Sequence, residues 1–454
     1  MPELLLQGGS ITSETGTRRA DVLVDGPRIV AVGSDIEPPR AAKVLDAGGC
    51  VIGPGLVDLH AHLREPGGEE AETIESGARA AALGGYTAVV AMPNTEPAID
   101  CVSVARDVLD LGKAVACEIA VAGAITVGRA GERLAPLAEM AAIGVRIFTD
   151  DGRGVQDAGL MRRAFEYARP LGVTLAEHCE DESLSRGGQM NEGAWSSRLG
   201  LPGWPGVAEE VMAARDIALA RATGGRLHLL HLSTAATVEL LRRAKAEGVS
   251  VTGEATPHHL FLTDAEVASY DPVFKVNPPL RAEADVEALR AAVRDGTIDA
   301  IATDHAPHPR ERKEEPFDTA PPGMLGLETA LAVVNTVLAC VPTAEAHGGA
   351  SITFGQLFDL MSRRPAFIAG LSGASGSSGS SSANGAHGAH GVAVAPGQAA
   401  NLCVFDPTAV WTVEPGRLAS LSRNTPYAGR SLTGRVRHTI LFGEAVVIDG
   451  EAQR

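Results

Sequence analysis

Short apolar runs recur along the middle of the chain, and eight of them are apolar enough to be buried on both faces: GLVDLH, YTAVVAM, CEIAVAG, VRIFT, VTLAEH, LHLLHL, VSVTGEAT and DAIATDH. Segments with helical spacing, such as VEALRAAVRDG, separate most of these runs. Strands that are apolar on both faces are typical of parallel sheets covered by helices. The alternation therefore predicts an α/β fold, a (β/α)8 barrel of the TIM type over residues 55–369. A doubly wound sheet is the competing fold, but no G-x-G-x-x-G follows the first run.

The two ends of the chain follow a different pattern. Residues 1–54 and 393–454 contain hairpin-like alternation with Gly-containing turns, as in ADVLVDGPRIVAVG and VRHTILFGEAVVIDG. Each end is too short to bury a good core alone. We therefore expect both ends to join in one composite small β domain.

Residues 370–391 form a segment of low complexity in which 14 of 22 residues are Gly or Ser. Such a composition buries too little surface to offset chain entropy, so it predicts a flexible insert. His387 and His390 within it are candidate metal ligands. No other ligand type lies nearby in the sequence, which disfavours a metal site in the insert.

Composition narrows the class of protein. The 454 residues are 45% apolar and 21% charged, which is typical of a soluble globular protein. The formal net charge of −17 argues against a nucleic-acid or anionic-membrane partner, because such partners need a basic surplus. The N-terminus lacks a signal-peptide pattern, and the six cysteines are scattered without a C-x-x-C pair. These features predict a cytoplasmic protein with free thiols.

Metal-ligating residue types collect at the C-terminal ends of the predicted strands, where barrel enzymes carry their active sites. Five strand ends contribute such residues: His60 and His62, Asp150 and Asp151, His178, His231, and Asp304 with His305. Imidazole and carboxylate groups gathered at one rim suit a divalent ion such as zinc. The sequence therefore predicts a metal centre at this rim.

Alternation along a strand indicates which of these side chains share a face. In HAHLR, residues two apart point the same way, so His60 and His62 can bind one ion while Arg64 receives an anion beyond it. By the same rule, His228 lies on the opposite face from His231 and is expected to be a packed or hydrogen-bonded histidine.

Three further histidines lie near the same rim. His305 alternates away from Asp304, so we leave it out of the metal centre. His258 and His259 end the seventh run, where one of them can line the pocket or both can stabilise a turn. Both alternatives stay open.

The stretch GVRIFTDDG ends in two adjacent carboxylates, Asp150 and Asp151. Two neighbouring anions repel each other unless solvent, a helix N-terminus or a cation compensates. The residues alone leave these three explanations open.

Seven motifs, in order, carry a family resemblance: PGLVDLHAHLREPG, GGYTAVVAMPNT, EHCED, HLST, VNPPLR, ATDHAPH and SRNTPYAG. Together they resemble the dihydroorotases of the amidohydrolase superfamily. The match spans nearly the whole chain, and the Gly/Ser insert is its main departure. The combination is specific because H-x-H-x-R, M-P-N-T and D-H-A-P-H occur in the right order and spacing.

The resemblance implies a centre of Zn2+ ions, two per subunit. The implied ligands are His60, His62, Asp151, His178, His231 and Asp304. In hydantoinases and in one class of dihydroorotase, the fourth strand ends with a carboxylated lysine that bridges two metals. GVRIFTDDG has no lysine, so the chain resembles the bacterial class in which an aspartate bridges, and the match puts Asp151 there. Asp150 would then turn the loop or hydrogen-bond a ligand.

The reaction implied by the resemblance is the reversible hydrolysis of L-dihydroorotate to N-carbamoyl-L-aspartate, the third step of de novo pyrimidine (UMP) biosynthesis. The residues fit this chemistry, because metal coordination supplies hydroxide at neutral pH and Asp304 can act as general acid and base. The substrate carboxylate needs a separate anion site, for which Arg64 is suited. The implied substrate contacts are His62, Arg64, Asn94, Asn277, His308, Pro322 and Gly323. In APPGM, Pro replaces the aromatic residue expected before Gly323.

Two other functions compete with this one. Another cyclic amidase, such as a hydantoinase or allantoinase, is disfavoured by the missing lysine and by the complete set of carboxylate-binding residues. An inactive homologue retained as a structural partner of aspartate carbamoyltransferase should have lost metal ligands, and none is lost here. For the active enzyme we expect a small-molecule substrate and a homo-oligomer, and a complex with aspartate carbamoyltransferase stays open.

Overall fold

A computed structural model of the chain describes residues 3–13, 16–338, 340, 351–373 and 389–454. The described strands before the barrel are β1 (Leu4–Gln7), β2 (Ser10–Ser13), β3 (Gly16–Arg19), β4 (Asp21–Asp25), β5 (Arg28–Gly33), β6 (Lys43–Asp46) and β7 (Val51–Pro54). The next strands along the chain are β8 (Leu56–Ala61), β9 (Tyr86–Ala91), β10 (Glu118–Gly123), β11 (Ile147–Phe148), β12 (Thr174–Glu177), β13 (Met190–Asn191), β14 (Gly203–Trp204), β15 (Arg226–Leu229), β16 (Val251–Ala255) and β17 (Ala300–Ile301). The C-terminal strands are β18 (Leu402–Thr412), β19 (Ser431–Leu441), β20 (Glu444–Ile448) and β21 (Glu451–Ala452).

Within these ranges, eight strands form the barrel sheet in the order β8-β9-β10-β11-β12-β15-β16-β17. Each neighbouring pair is parallel. The ring closes where Ala61 forms an isolated parallel bridge with His305, and the backbone N–H of His62 donates to the His305 carbonyl oxygen at 2.8 Å. Every one of the eight apolar runs overlaps one of these strands, so the prediction of a (β/α)8 barrel is confirmed.

The described α-helices are α1 (Ile74–Leu83), α2 (Val102–Leu111), α3 (Leu137–Ala142), α4 (Ala158–Leu171), α5 (Glu182–Ser185), α6 (Ala194–Leu199), α7 (Val207–Thr223), α8 (Ala235–Ala246), α9 (Pro257–Phe261), α10 (Glu283–Asp295), α11 (Arg310–Lys313), α12 (Ala330–Leu338), α13 (Phe354–Phe358) and α14 (Arg364–Ile368). Capping residues determine where some of these helices begin and end. Asp157 caps α4 by accepting from the Leu160 N–H at 2.6 Å, and Gly172 ends it with a φ of +67°. In the described chain, no helix combines the length and the apolar character needed to cross a membrane.

Small aliphatic side chains from most of the strands fill the barrel interior. They include Leu59, Val90, Ala122, Ile147, Ala176, Leu230 and Ala300, all of which are buried. A second apolar layer lies between the strands and the helices and carries Phe148 and Phe165. This packing accounts for a chain with 4% aromatic residues, because a narrow barrel interior accommodates Ala, Val and Leu better than rings.

Besides the barrel sheet and the short pair β13-β14, the described structure has two sheets that are built from the chain termini. One sheet has the order β5-β4-β1-β6, and the other has the order β21-β20-β19-β18-β7-β2-β3. N-terminal β7 pairs antiparallel with C-terminal β18, from Val51 opposite Phe405 to Pro54 opposite Leu402. Their shared core includes Leu6, Ile52, Val404 and Ile440. The expectation of a small β domain built from both ends is confirmed, and the exact limits that we gave for the domains stay predictions.

The predicted flexible insert at 370–391 is described only at its two ends. Residues 374–388, which include His387, lie outside the described residues. At the C-terminal end, His390 is fully buried, with Nδ1 at 2.9 Å from Thr87 Oγ1 and Nε2 at 2.7 Å from Glu118 Oε2. Tertiary hydrogen bonds therefore hold His390 at the end of a segment whose composition is that of a linker, and the flexibility of the insert stays a prediction.

Candidate metal centre

One carboxylate lies at the centre of the histidines that the sequence placed at the barrel rim. Asp151 follows β11 and is buried, and two groups of side chains with metal-ligating atoms share it. The first group is His60, His62 and Asp151, and the second is Asp151, His178 and His231. Within each group the candidate ligand atoms lie within 4.8 Å of one another.

The two oxygens of Asp151 face different histidines. Oδ2 lies 3.3 Å from His60 Nε2 and 3.5 Å from His62 Nε2. Oδ1 lies 3.5 Å from His231 Nε2 and 3.6 Å from His178 Nδ1. A carboxylate with one pair of imidazoles at each oxygen has the arrangement of a bridge between two cations.

Asp304 adds a second carboxylate on the side of the first histidine pair. Its Oδ1 lies 3.0 Å from His62 Nε2 and 3.5 Å from His60 Nε2. Burial alone would raise the pKa of Asp304, but the charge of His60 and the hydrogen bond from His62 outweigh it and hold the pKa below its usual value. Asp304 is therefore ionised at neutral pH, as a ligand or a proton acceptor must be.

The polar atoms at the centre fit a divalent ion. His60 Nε2 and Asp151 Oδ1 are buried and have no hydrogen-bond partner among the described residues. Buried polar atoms without partners are costly, unless something that is not a protein side chain satisfies them. Imidazole nitrogens and carboxylate oxygens are the donor set of zinc and related ions, so the residues present fit such a group.

Asp150 and Asp151 are adjacent, but their side chains have different partners. Asp150 Oδ1 accepts from the backbone N–H groups of Ile125 at 2.8 Å and Thr126 at 3.0 Å, and its Oδ2 accepts from the Thr126 hydroxyl. Asp150 thus holds the loop after β10, which is one of the two roles that the resemblance left open for it.

A buried glutamate on β16, which the sequence analysis missed, orients one of the histidines. Glu254 Oε1 lies 2.9 Å from His60 Nδ1, and its Oε2 lies 3.1 Å from His228 Nε2. Burial would raise the pKa of Glu254, but hydrogen bonds from both histidines lower it to about 2. Because the carboxylate is ionised, Nδ1 of His60 must donate to it, which leaves Nε2 free to bind a cation. A lone Glu inside the apolar run VSVTGEAT was the available signal.

Two other side chains orient His178 and His62 in a similar way. Glu180 Oε2 lies 2.9 Å from His178 Nε2, so the Nδ1 of that ring faces Asp151. Asn94 Oδ1 lies 2.9 Å from His62 Nδ1, so its Nε2 faces the carboxylates. Asn94 was predicted as a substrate contact, and its position beside His62 places its amide at the edge of the same cluster.

Two of the predicted anion-binding residues, Arg64 and His308, lie together near Asp304 and Asp151. Arg64 Nε donates to the Pro307 carbonyl at 3.1 Å, and its Nη2 lies 3.5 Å from His308 Nε2. His308 Nε2 also contacts the Pro322 carbonyl at 2.8 Å, next to Gly323. Burial lowers the pKa of Arg64 to about 10 and the pKa of His308 to about 3, so Arg64 supplies a positive charge and His308 is neutral at pH 7. Asn277 is half-buried in the loop that precedes α10.

His228 and His231 show that strand alternation predicts side-chain directions only within a strand. His228 was expected on the opposite face of the same strand from His231, but the two do not share a strand, although both contact Glu254: His228 through Nε2 and His231 through its backbone N–H at 3.3 Å. The physical reason is that β15 ends at Leu229 and His231 has a φ of +29°. His228 is hydrogen-bonded, as expected.

His305 and His259 contact residues outside the cluster. His305 Nε2 lies 3.4 Å from Glu72 Oε2, which agrees with leaving it out of the metal centre. His259 Nδ1 contacts Thr256 Oγ1 at 2.8 Å and its Nε2 contacts the Pro278 carbonyl at 3.1 Å, so it stabilises the turn after β16. His258 is buried beside it, with ring centroids 4.5 Å apart.

Comparison with known proteins decides the family. A family model described as dihydro-orotase-like matches residues 49–237. The dihydroorotase of Streptomyces coelicolor is 47% identical over 454 residues, which cover 99% of this chain and 100% of that protein. The dihydroorotase of Mycobacterium tuberculosis is 48% identical over 436 residues, which cover 95% of this chain and 96% of that protein. The chain belongs to the dihydroorotase family. As a member of that family, it is a cyclic amide hydrolase.

The solved structures with a similar fold include more distant cyclic amidases. L-Hydantoinase (dihydropyrimidinase) from Arthrobacter aurescens superposes with a TM-score of 0.85 at 24% identity and covers 100% of this chain and 98% of its own. Dihydropyrimidinase from Brevibacillus agri gives a TM-score of 0.81 at 22% identity, covering 99% and 96%. At such identities the likeness shows the fold alone, so the dihydroorotase assignment depends on the sequence relatives.

Proposed function

We propose that this member of the dihydroorotase family catalyses the reversible hydrolysis of L-dihydroorotate to N-carbamoyl-L-aspartate. One observation carries the proposal. The positively charged Arg64, which contacts His308 and can bind an anion, lies near the histidine cluster centred on Asp151. A cyclic amide with a free carboxylate needs both features, because the ring must be attacked at one place and its carboxylate held at another.

The proposed ligands of two Zn2+ ions are His60, His62, Asp151, His178, His231 and Asp304. His60 and His62 would serve one ion, His178 and His231 the other, and Asp151 both, since each of its oxygens faces one pair. Bound there, the ions would lower the pKa of water and polarise the amide carbonyl.

Asp304 is the proposed general acid and base. It is ionised and its Oδ1 lies next to His62 Nε2, so it can accept a proton from the attacking water and return it to the ring nitrogen that leaves. Asp304 Oδ1 and Asp151 Oδ2 lie 3.5 and 3.3 Å from His60 Nε2, which supports a role for both carboxylates at one centre.

The substrate carboxylate is proposed to bind Arg64, Asn94 and His308, and the ring to bind Asn277 and the backbone at Pro322 and Gly323. Arg64 carries the positive charge that a carboxylate needs, and its planar guanidinium can donate two hydrogen bonds. His62 lies between this pocket and Asp304, so it is placed to contact the substrate as well as a metal ion.

The proposal extends to the pathway, the compartment and the partners of the enzyme. The product of ring closure is a pyrimidine precursor, which supports de novo UMP synthesis as the proposed pathway. The proposed compartment is the cytoplasm. The six cysteines, all in described residues, are free thiols, which suits a reducing compartment. A homo-oligomer and a complex with aspartate carbamoyltransferase remain proposals that sedimentation of the protein with and without that enzyme would test.

A comparative assay tests the proposed function. Purified protein with measured zinc content would be given dihydroorotate, hydantoin and allantoin in turn. The proposal expects turnover of dihydroorotate in both directions and little turnover of the other two rings, which lack a carboxylate for Arg64. Faster hydrolysis of hydantoin than of dihydroorotate would reject it in favour of a hydantoinase, and turnover of none would favour an inactive homologue.

A further inference from the structure

A segment outside the barrel, residues 419–424, runs along the rim where the anion site lies. Two glutamates of the barrel hold its backbone. Glu328 accepts from the backbone N–H groups of Ala419 at 2.9 Å and Ser420 at 3.3 Å. Glu72 accepts from the backbone N–H of Leu421 at 3.1 Å and from the Ser420 hydroxyl. The segment is therefore fixed against the barrel just before it reaches Asn424.

The side chain of Asn424 connects two loops that follow β17. Its Oδ1 accepts from the backbone N–H of His308 at 3.2 Å. Its Nδ2 donates to the carbonyls of Ala306 at 3.0 Å and Gly323 at 3.1 Å. The backbone carbonyl of Asn424 accepts from the Leu325 N–H at 3.2 Å. With 5% of its surface exposed, the residue makes all of these contacts in a buried position.

These contacts fix the distance between His308 and Gly323. Both residues belong to the proposed substrate pocket, and the His308 ring reaches across to the Pro322 carbonyl. Lys313 supports the same loop, since its Nζ donates to the Pro321 and Gly323 carbonyls at 2.9 and 3.1 Å. Asn424 differs from Lys313 because it contacts both loops, whereas these lysine contacts reach one.

We propose that Asn424 is a positioning residue for the substrate-carboxylate pocket. The inference rests on the proposed function, because it assigns the residue to the pocket of that reaction. The site requires one acceptor and two donors in one plane, and a carboxamide of this length supplies them. An aspartate would keep the acceptor toward His308 but would place oxygen against the two carbonyls. Asn424 touches neither the reacting atoms nor the cluster, so it acts through His308 and Gly323.

The test compares Asn424→Asp and Asn424→Ala with a matched control. Asn335 is a buried asparagine, 6% exposed, whose Nδ2 donates to the carbonyls of Pro407 at 3.0 Å and Thr433 at 2.8 Å, away from the pocket. Asn335→Asp and Asn335→Ala therefore remove the same kind of bond at a place that positions no substrate contact. For all four variants and the unaltered protein, zinc content, melting temperature, KM and kcat for dihydroorotate would be measured.

We expect both Asn424 variants to keep their zinc and to raise KM by about tenfold or more, with a smaller change in kcat, because Asn424→Asp loses two of the hydrogen bonds that hold the pocket and Asn424→Ala loses all three. The Asn335 variants should lower the melting temperature and leave KM unchanged. A KM within twofold of the unaltered enzyme in folded Asn424→Ala or Asn424→Asp overturns the inference, and so does an equal rise in KM in the Asn335 variants. Absence of turnover in the unaltered protein would overturn the proposed function and this assignment with it.

Discussion

Replacing Glu254 by alanine removes a carboxylate that touches no substrate and is not a proposed ligand. The side chain is fully buried and accepts from His60 Nδ1 at 2.9 Å, His228 Nε2 at 3.1 Å and the His231 backbone N–H at 3.3 Å. Two of these three donors belong to proposed metal ligands. The Glu254→Ala variant should therefore bind metal more weakly, although every ligand is still present.

The magnitude follows from the bonds that are lost. Without Glu254 the His60 ring can turn, or it can place its proton on Nε2, the atom that must bind the cation. Loss of such an outer partner lowers metal affinity by about 10–100-fold. Leaving buried imidazole donors unpaired should also cost about 3 kcal/mol in the free energy of unfolding of the metal-free protein. In Glu254→Gln, the amide oxygen can still accept from His60, so both losses should be smaller.

The assay is a competition for Zn2+ between metal-free protein and a chromophoric chelator. Glu72→Gln is the control, because Glu72 is another fully buried carboxylate beside a histidine, His305, that is not a proposed ligand. We expect the order of zinc affinity to be unaltered protein and Glu72→Gln, then Glu254→Gln, then Glu254→Ala. Undiminished zinc affinity in Glu254→Ala, or an equal loss in Glu72→Gln, would refute the reasoning.

Four further outcomes are expected. Arg64→Met should keep its zinc and raise KM for dihydroorotate by about 10–100-fold, because a charge-assisted hydrogen bond is lost. Steady-state kinetics would measure this change, and an unchanged KM would mean that Arg64 does not bind the substrate. Asp304→Asn should bind substrate but lower kcat by about 10²–10⁴-fold, since an amide cannot accept the proton; near-normal turnover would exclude it as the base. Deletion of 374–388 should leave turnover and melting temperature nearly unchanged, because the Gly/Ser composition predicts little burial; a fall in either would show that the deleted residues contribute. Asp151→Ala should lose zinc and activity severely and Asp150→Ala more mildly, measured by metal analysis and turnover, and the reverse order would exchange their roles.

The barrel was predictable because its strands carry their own signal. Each of the eight is a short apolar run between helical segments. Such a run fits a parallel strand that is buried on both faces. The end of the insert was not predictable in this way. His390 is held by Thr87 and Glu118, which are 303 and 272 residues away in the sequence, and no local composition reports such partners.

Which residues form the candidate site was predictable from the sequence. The directions of their side chains were predictable only in part. The rule that alternate residues share a face holds within a strand, and β8 ends at Ala61, β15 at Leu229 and β17 at Ile301. Beyond those ends Arg64, His231 and Asp304 all have positive φ, with values of 63°, 29° and 46°. Non-glycine residues with positive φ are uncommon and depend on surrounding structure, so a sequence pattern does not predict where they send a side chain.

The two adjacent carboxylates of GVRIFTDDG are stabilised in the protein by different kinds of neighbouring groups. Burial raises the pKa of Asp150, and the N–H and O–H donors of Ile125 and Thr126 oppose that rise. Burial would raise the pKa of Asp151 as well, but the charge of His60 and the rings of His178 and His231, at 3.6 and 3.5 Å from Oδ1, hold it well below the usual value. Neutral donors thus suffice for Asp150, whereas Asp151 is surrounded by groups that favour a full negative charge. Because that charge belongs to the side chain itself, the bridge that we propose needs no carbon dioxide, and reconstitution with metal should be independent of added bicarbonate.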